Sequence, residues 1–210
     1  MITIESLSMA DGVPIPARYA VATPTADGKA ELAGGDRSPH LAWSGEPEGT
    51  RSFALSVVDP DVPADKTRMG VEGLSLGDDE PRVDFAHWLL ADLPVSLHEI
   101  PEGADGESFV AHGKTPGPAA FGGISGANGY GGLFEGNADL AGVYGGWDGP
   151  FPPWNDECVH RYLTTVYALD VGTLGLGPGF SLEDFRRAIE GHILDEGQIV
   201  PTYTLNPALR

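Results

Sequence analysis

The chain has 210 residues, of which 41% are hydrophobic, and a formal net charge of −19 at pH 7. This length is enough for one sizeable core. No apolar run approaches the roughly 20 residues of a membrane-spanning helix. The negative charge disfavours nucleic acid or an anionic membrane surface as a partner. The 18 prolines and 30 glycines favour a loop-rich, strand-rich globular protein, because both residues form turns and interrupt helices.

Short apolar stretches bounded by Gly, Pro or Asp predict β-strands. The first is residues 2–7, which lack a basic start and an apolar signal core, so we expect a strand there and a cytoplasmic location. Further strands are predicted at residues 53–58, 85–91 and 160–169. Within the last of these, strand alternation places His160 and Tyr162 on one face.

One helix is predicted near the carboxy terminus, at about residues 181–195. Ser181 followed three residues later by Asp184 resembles a capping box, which marks the start of a helix. The predicted apolar stripe consists of Leu182, Phe185, Ala188, Ile189 and His192.

We predict a single domain over residues 1–210, with two long excursions from the body. The first, 64–84, is charged and rich in turn residues. The second, 113–149, contains thirteen glycines, and a structured loop of this length is more often functional than idle. Its aromatic residues are predicted to pack the loop onto the body; they are Phe121, Tyr130, Phe134, Tyr144 and Trp147.

Cysteine and lysine usage give two further constraints. Cys158 is the only cysteine, which excludes an intramolecular disulfide and gives no sign of a thiolate metal site. Only three of the twelve basic residues are lysine. Two interpretations stay open: a protein adapted to a salty (halophilic) cytoplasm, where charges are screened within a few ångströms, or an ordinary acidic bacterial protein.

Three motifs carry residues suited to chemistry. Asp59-Pro60-Asp61-Val62-Pro63 directly follows the apolar run 53–58, so two carboxylates lie where a buried strand ends. His87 lies in the strand at 85–91. The third motif is Gly149-Pro150-Phe151-Pro152-Pro153, followed by His160-Arg161-Tyr162. If the three segments converge, they form a pocket lined by Asp, His, His and Tyr.

In this order and spacing, the motifs resemble those of the phosphatidylethanolamine-binding protein family, also called the Raf-kinase-inhibitor-like family, in its bacterial and archaeal branch. The resemblance covers nearly the whole chain. It implies a mainly β fold, with two antiparallel sheets packed face to face and a carboxy-terminal helix, and a small pocket for phosphate, phosphoethanolamine headgroups or acetate. The predicted ligand-binding residues are Asp59, Asp61, His87, Trp147, Gly149, Pro150, His160 and Tyr162. The resemblance also implies a cis peptide near Val62-Pro63 and is compatible with a homodimer.

Three departures from the family pattern lie close to the expected pocket. Trp147 replaces the more usual Tyr, and Phe151 stands where bacterial members often have a small residue or Cys. The connection 154–159 is about one residue longer than usual and carries acidic residues. These changes place bulk and negative charge beside the pocket, so ligand size and charge preference are expected to differ.

The chemistry of these residues suits an anionic or zwitterionic ligand. Imidazolium and phenol groups donate hydrogen bonds to phosphate oxygens. Asp59 and Asp61 would repel a bare anion, so we expect them to fix a histidine tautomer or to contact an ammonium group. Phosphoethanolamine satisfies both expectations, and a small-ligand binding protein, with a regulatory role, is the function predicted.

Alternative interpretations remain for the same residues. Asp, Asp, His and His also suit a divalent metal, but no His-x-x-x-His pair occurs and the resemblance implies no required metal, so we predict neither metal nor cofactor. An enzyme could use His87 or His160 as general base with Asp59 as orienter, and a purely interaction-driven scaffold would need neither histidine. Residue by residue, Asp59 and Asp61 can simply shape a turn, and His87 can be a core histidine.

Overall fold

The computed structural model describes all 210 residues and contains twelve β-strands and two α-helices. The strands are β1 (Thr3–Glu5), β2 (Thr23–Pro24), β3 (Ala30–Glu31), β4 (Leu41–Ser44), β5 (Ser52–Pro63), β6 (Arg82–Pro94), β7 (Glu99–Ile100), β8 (Ile124–Ser125), β9 (His160–Arg161), β10 (Leu163–Leu169), β11 (Ile193–Ile199) and β12 (Thr202–Tyr203). The helices are α1 (Tyr130–Leu133) and α2 (Leu182–Ile189), and two 3₁₀ turns cover Ala17–Tyr19 and Lys66–Arg68. Every strand ladder is antiparallel, so the expectation of a mainly β, antiparallel protein is confirmed.

The centre of the molecule is a five-stranded sheet in the order β11-β10-β5-β6-β8. Alternate residues of β5 enter different core clusters, with Phe53 and Leu55 on one side and Ala54 on the other. Because both faces of the strand are covered, the run 53–58 is apolar on both faces, with Ser56 the one polar residue, instead of alternating.

A three-stranded sheet, β1-β4-β7, covers one face of the central sheet. Trp43 on β4 packs edge-on against Phe53, with ring centroids 5.5 Å apart. The opposite face is covered by α2, whose Phe185 and Ile189 are buried against Leu89. The predicted pair of packed sheets with a carboxy-terminal helix is therefore confirmed.

Two predicted element boundaries are wrong. The strand expected over 160–169 breaks at Tyr162, because β9 leaves the central sheet to pair with β12 while β10 stays beside β5. The helix expected to reach 195 ends at Ile189, and Gly191 follows with φ +81°, a backbone conformation that favours glycine. The predicted capping box at the start of α2 is present, since the Ser181 and Asp184 side chains each accept from the other's backbone N–H.

The glycine-rich segment 113–149 is packed onto the body through its aromatic residues, as predicted. Tyr130, Phe134 and Tyr144 form a buried cluster with Phe85 of β6, and Trp147 enters the main core. Phe121 is half-buried against the same core. All peptide bonds are trans, so the prediction of a cis peptide near Val62-Pro63 is wrong.

Candidate functional site

The three motifs meet at one small cavity where the β5–β6 ladder becomes irregular. The register of this strand pair shifts between Asp59 and Val62, which leaves Pro60 and Asp61 without ladder partners before pairing resumes at Val62. The cavity has a volume of about 20 Å³, close to the space that one ordered water needs. It is lined by Asp59, Val62, Met69, Phe85, His87, Tyr130, Leu133, Phe151, Pro152, Pro153 and His160.

Asp59 forms the acidic wall of the cavity and is held from two sides. Its Oδ1 accepts a hydrogen bond from the backbone N–H of Asp61 at 2.8 Å, which is the turn geometry expected of an Asp before a proline-bounded loop. Its Oδ2 lies 2.6 Å from His160 Nδ1. The turn role and the histidine-orienting role are therefore both performed by this one carboxylate.

His160 is a buried imidazolium with a carboxylate at each ring nitrogen. Its Nε2 lies 3.1 Å from Asp156 Oδ2, in addition to the contact between Nδ1 and Asp59. Burial disfavours the charged ring, but the hydrogen bonds to Asp156 and Asp59 outweigh it and raise the pKa of His160 to about 9. Because both N–H groups are used within the protein, His160 supplies charge to the cavity wall and has no ring N–H left for a ligand.

Asp156 is itself fixed by a buried arginine. Arg82 Nη1 donates to Asp156 Oδ2 at 2.6 Å and Nη2 donates to Asp156 Oδ1 at 3.0 Å, a two-pronged contact of the kind that guanidinium groups favour. Burial acts to raise the pKa of Asp156, but the hydrogen bonds from His160 and Arg82 hold it below its usual value. Asp59, His160, Asp156 and Arg82 thus form a chain of alternating charge with no net charge.

His87 differs from His160 in both protonation and partners. Its Nδ1 donates to the backbone carbonyl of Asp148 at 2.7 Å, and its Nε2 makes no hydrogen bond within the protein. Burial lowers the pKa of His87, and the negative charge of Asp59 opposes this only in part. His87 is therefore a neutral imidazole with its proton on Nδ1, and Nε2 is an acceptor available to a molecule in the cavity.

The hydroxyl of Tyr162 is the second unpartnered polar atom in this region. Tyr162 is fully buried, its ring centroid is 5.0 Å from that of His87, and its Oη has no hydrogen-bond partner. Burial and nearby Asp59 raise the pKa of Tyr162, so the hydroxyl stays protonated and able to donate. An unpaired buried hydroxyl costs free energy until it finds a partner.

The other predicted site residues surround the cavity without lining it. Asp61 accepts from Arg161 Nε at 2.9 Å and Nη2 at 2.7 Å, and Trp147 Nε1 donates to the Tyr19 carbonyl at 3.1 Å. The Pro150 carbonyl accepts from two backbone N–H groups of the segment after Tyr19. Gly149 lies so close to that segment that a Cβ would be 1.9 Å from the Tyr19 carbonyl oxygen, so only glycine fits.

A buried carboxyl pair lies directly behind His87. Asp36 and Asp148 are both inaccessible and contact each other through their side chains. Burial, then the charge of Asp148, raises the pKa of Asp36 to about 8, and burial also raises the pKa of Asp148. Asp36 Oδ1 accepts from Gly149 N–H at 2.7 Å and Asp148 Oδ1 accepts from Lys114 Nζ at 3.0 Å. Asp36 Oδ2 has no hydrogen-bond partner in the structure, which is consistent with a proton shared between the two carboxyl groups.

Sequence reasoning missed several residues that complete the site. Asp156 and Arg82 fix His160, and Asp36 with Asp148 supports His87 through the backbone. Only the acidic, lengthened connection 154–159 gave a signal for any of them. No group of three or more His, Cys, Asp or Glu residues is arranged to hold a metal ion, and no helix is both long and apolar enough to cross a bilayer.

Comparison with known sequences identifies relatives over most of the chain. A family model described as phosphatidylethanolamine-binding protein matches residues 5–204. A UPF0098 protein of Aquifex aeolicus is 31% identical over 203 residues, which cover 97% of this chain and 88% of that protein. The UPF0098 protein YbhB of Escherichia coli is 30% identical over 148 residues, covering 70% of this chain and 69% of that protein.

Comparison with solved structures gives the same result at the level of the fold. The crystal structure of Escherichia coli YbcL, described as a new member of the mammalian PEBP family, superposes with a TM-score of 0.68 at 22% identity and covers 97% of this chain and 98% of that one. A structure described as a phosphatidylethanolamine-binding protein homologue from Chlamydia trachomatis has a TM-score of 0.62 at 26% identity, with 96% of each chain covered.

Proposed function

Because this chain belongs to the phosphatidylethanolamine-binding protein family, we propose that it binds a small ligand through a phosphoryl group and takes up one proton on binding. The observation that carries the proposal is His87 Nε2, a polar atom of a cavity-lining ring that makes no hydrogen bond within the protein. As a neutral acceptor, this atom needs a proton between itself and any phosphate oxygen.

The proton has two equivalent sources. A phosphomonoester has a second pKa of about 6, so its monoanion carries a P–OH group that can donate to His87. Alternatively, the negative charge of a bound dianion raises the pKa of His87 and draws a proton from solution. Above pH 7 both routes remove one proton from solution for each ligand bound, because the free ligand is then a dianion and His87 is neutral.

The charges of the cavity wall favour a ligand with little net charge. Asp59 lines the cavity beside the His160 imidazolium, so the local field is balanced and not strongly positive. A protonated phosphoryl group with an ammonium nearby, as in phosphoethanolamine, fits such a wall better than a bare dianion does. The Tyr162 hydroxyl has no partner and its ring centroid is 5.0 Å from that of His87, so it would donate to a phosphoryl oxygen that reaches it.

Calorimetric titration with phosphoethanolamine at pH 6.5 tests the assignment of His87. We expect His87→Gln to weaken binding by at least about tenfold, because a hydrogen bond to a charged group is worth roughly 1.5–3 kcal/mol. The matched control is His112→Gln, since His112 also contacts a backbone carbonyl through Nδ1, that of Ala141 at 2.9 Å, but is exposed and distant in sequence. Its affinity should be unchanged.

A second variant keeps the test informative if His87→Gln misfolds. Tyr162→Phe removes only an oxygen that makes no hydrogen bond in the free protein, so folding should be retained while phosphoethanolamine binds more weakly. Equal affinity in the wild type and both variants would refute the proposal. Consumption of the ligand during the titration would instead support the alternative of an enzyme with His87 as general base.

A further inference from the structure

A second, larger cavity opens beside the inner one and shares part of its wall. Its volume is about 350 Å³, and Met69, Leu133, Phe151 and Pro153 line both cavities. Lys66 and Trp154 line the larger cavity only. We call this larger cavity the vestibule and define it by these six residues.

The two excursions and the segment 151–154 supply the six residues that define the vestibule, and none of the six lies in a β-strand. Lys66 and Met69 come from the excursion 64–84, and Leu133 ends α1 in the glycine-rich segment. Met69, Leu133 and Trp154 are only half-buried although they are large and apolar. Several such side chains around one concavity are characteristic of ligand sites, where apolar walls accompany a few polar groups.

Lys66 stands out among the few cations of this acidic chain. The other two lysines have carboxylate partners, Lys29 with Glu72 at 3.2 Å and Lys114 with Asp148 at 3.0 Å. Lys66 has no carboxylate within 4.0 Å, and its Nζ contacts only the Gly132 carbonyl, at 3.4 Å. An unpaired ammonium at the vestibule wall attracts an anion in a protein whose net charge of −19 otherwise repels it.

We propose that the vestibule binds the apolar body of the ligand, so that the ligand class is a phosphomonoester of one aromatic ring or a short alkyl chain. This inference rests on the proposed function, because one phosphoryl oxygen would enter the inner cavity, which has room for about one water-sized group, while the rest of the ligand lies in the vestibule. A volume of 350 Å³ lies at the small end of the range for small-molecule sites, which favours a compact body over the two chains of a diacyl lipid.

The test compares three probes that share parts: inorganic phosphate, phenol and phenyl phosphate. Trp154 provides the optical signal, because the other three tryptophans are buried to 3% exposure or less while Trp154 is half-buried in the vestibule wall. We expect phenol and phenyl phosphate to change tryptophan fluorescence. Calorimetry should show phenyl phosphate binding at least about tenfold tighter than inorganic phosphate, as burial of a ring predicts.

Two variants separate the apolar contribution of the vestibule wall to ligand affinity from the contribution of the Lys66 charge. Trp154→Asn should weaken phenyl phosphate about tenfold and leave inorganic phosphate within a factor of three in calorimetry, because Trp154 lines the vestibule and not the inner cavity. Lys66→Gln should weaken both by a similar few-fold. Val143→Asn, at an exposed valine of the glycine-rich segment, and Lys29→Gln are the controls and should change neither affinity.

The outcomes separate this inference from the proposed function. Equal affinities for phenyl phosphate and inorganic phosphate would overturn the vestibule assignment and leave the inner cavity intact. Tighter binding of dihexanoyl phosphatidic acid than of phenyl phosphate would overturn the assignment of a compact body. Binding of phenol without either phosphate compound would overturn the proposed function and, with it, the phosphomonoester class.

Discussion

Replacing Asp156 by alanine is expected to lower the free energy of unfolding by about 3–5 kcal/mol, the range for breaking a buried ion pair by removing one partner. The substitution leaves two cations short of a partner at once. His160 is fully buried and loses its contact at Nε2, and the Arg82 side chain, only 13% exposed, loses both of its hydrogen bonds to a carboxylate. An uncompensated buried charge accounts for most of the cost.

Urea denaturation of the wild type and Asp156→Ala measures this loss. The matched control is Glu157→Ala, because Glu157 is the exposed neighbour and contacts only the Ser75 hydroxyl through its side chain. We expect the control to lie within about 0.5 kcal/mol of the wild type. A loss below 1 kcal/mol in Asp156→Ala would mean that the carboxylate does not hold His160 and Arg82 as described.

Replacing Asp36 by asparagine is expected to reduce the loss of stability that accompanies a rise in pH from about 4 to about 8. The pKa of Asp36 in the folded protein is raised from 3.8 to about 8, so between these values the folded state binds a proton that the unfolded state has lost. The stability linked to this proton is complete below pH 4 and is lost as the pH rises to about 8, with a slope of about 1.4 kcal/mol per pH unit. Asparagine keeps an acceptor for Gly149 N–H and supplies an N–H in place of the shared proton.

The measurement is the free energy of unfolding between pH 5 and 8 for the wild type and Asp36→Asn. Other ionisable groups also make the stability depend on pH: Lys114, Asp105 and Tyr130 lie around the carboxyl pair, and His160 and Asp156 lie at the inner cavity. Their effects are common to both proteins, so the informative quantity is the difference between the two curves of unfolding free energy against pH. This difference should grow with pH in favour of the variant. Asp139→Asn, an exposed Asp in the glycine-rich segment, should run parallel to the wild type. A constant difference for Asp36→Asn would contradict the shared proton.

The sequence motifs predicted which segments form the site but not how its charges are arranged. Asp59 and His160 are 101 residues apart, yet both were placed at the site because Asp59 follows the apolar run 53–58 and His160 begins the predicted strand 160–169, each within a recognisable motif. Asp156 and Arg82 belong to no motif, and their pairing depends on how the lengthened connection 154–159 folds back over β6. A contact between a loop residue and the first residue of a strand 74 positions away has no local signature in a single sequence.

Strand prediction succeeded where a segment is predominantly apolar and failed where the backbone changes sheets. The segments 53–58 and 85–91 lie within β5 and β6. Both strands are longer than predicted, because their backbones pair with each other beyond the apolar residues. The break at Tyr162 was missed because alternation continues through it, although its N–H donates to Pro201 and not to the central sheet. The predicted helical stripe ran past Ile189 because His192 has the right spacing, whereas its ring in fact contacts Asp170.

The most direct test of the central claim is the number of protons taken up when phosphoethanolamine binds. Calorimetry at pH 8 in two buffers with different ionisation enthalpies gives this number from the difference in observed heats. The account predicts uptake of about one proton per ligand bound, because at this pH His87 is neutral and the phosphomonoester, with a second pKa of about 6, is a dianion. Binding with no proton uptake, or with proton release, would contradict the role assigned to His87 Nε2.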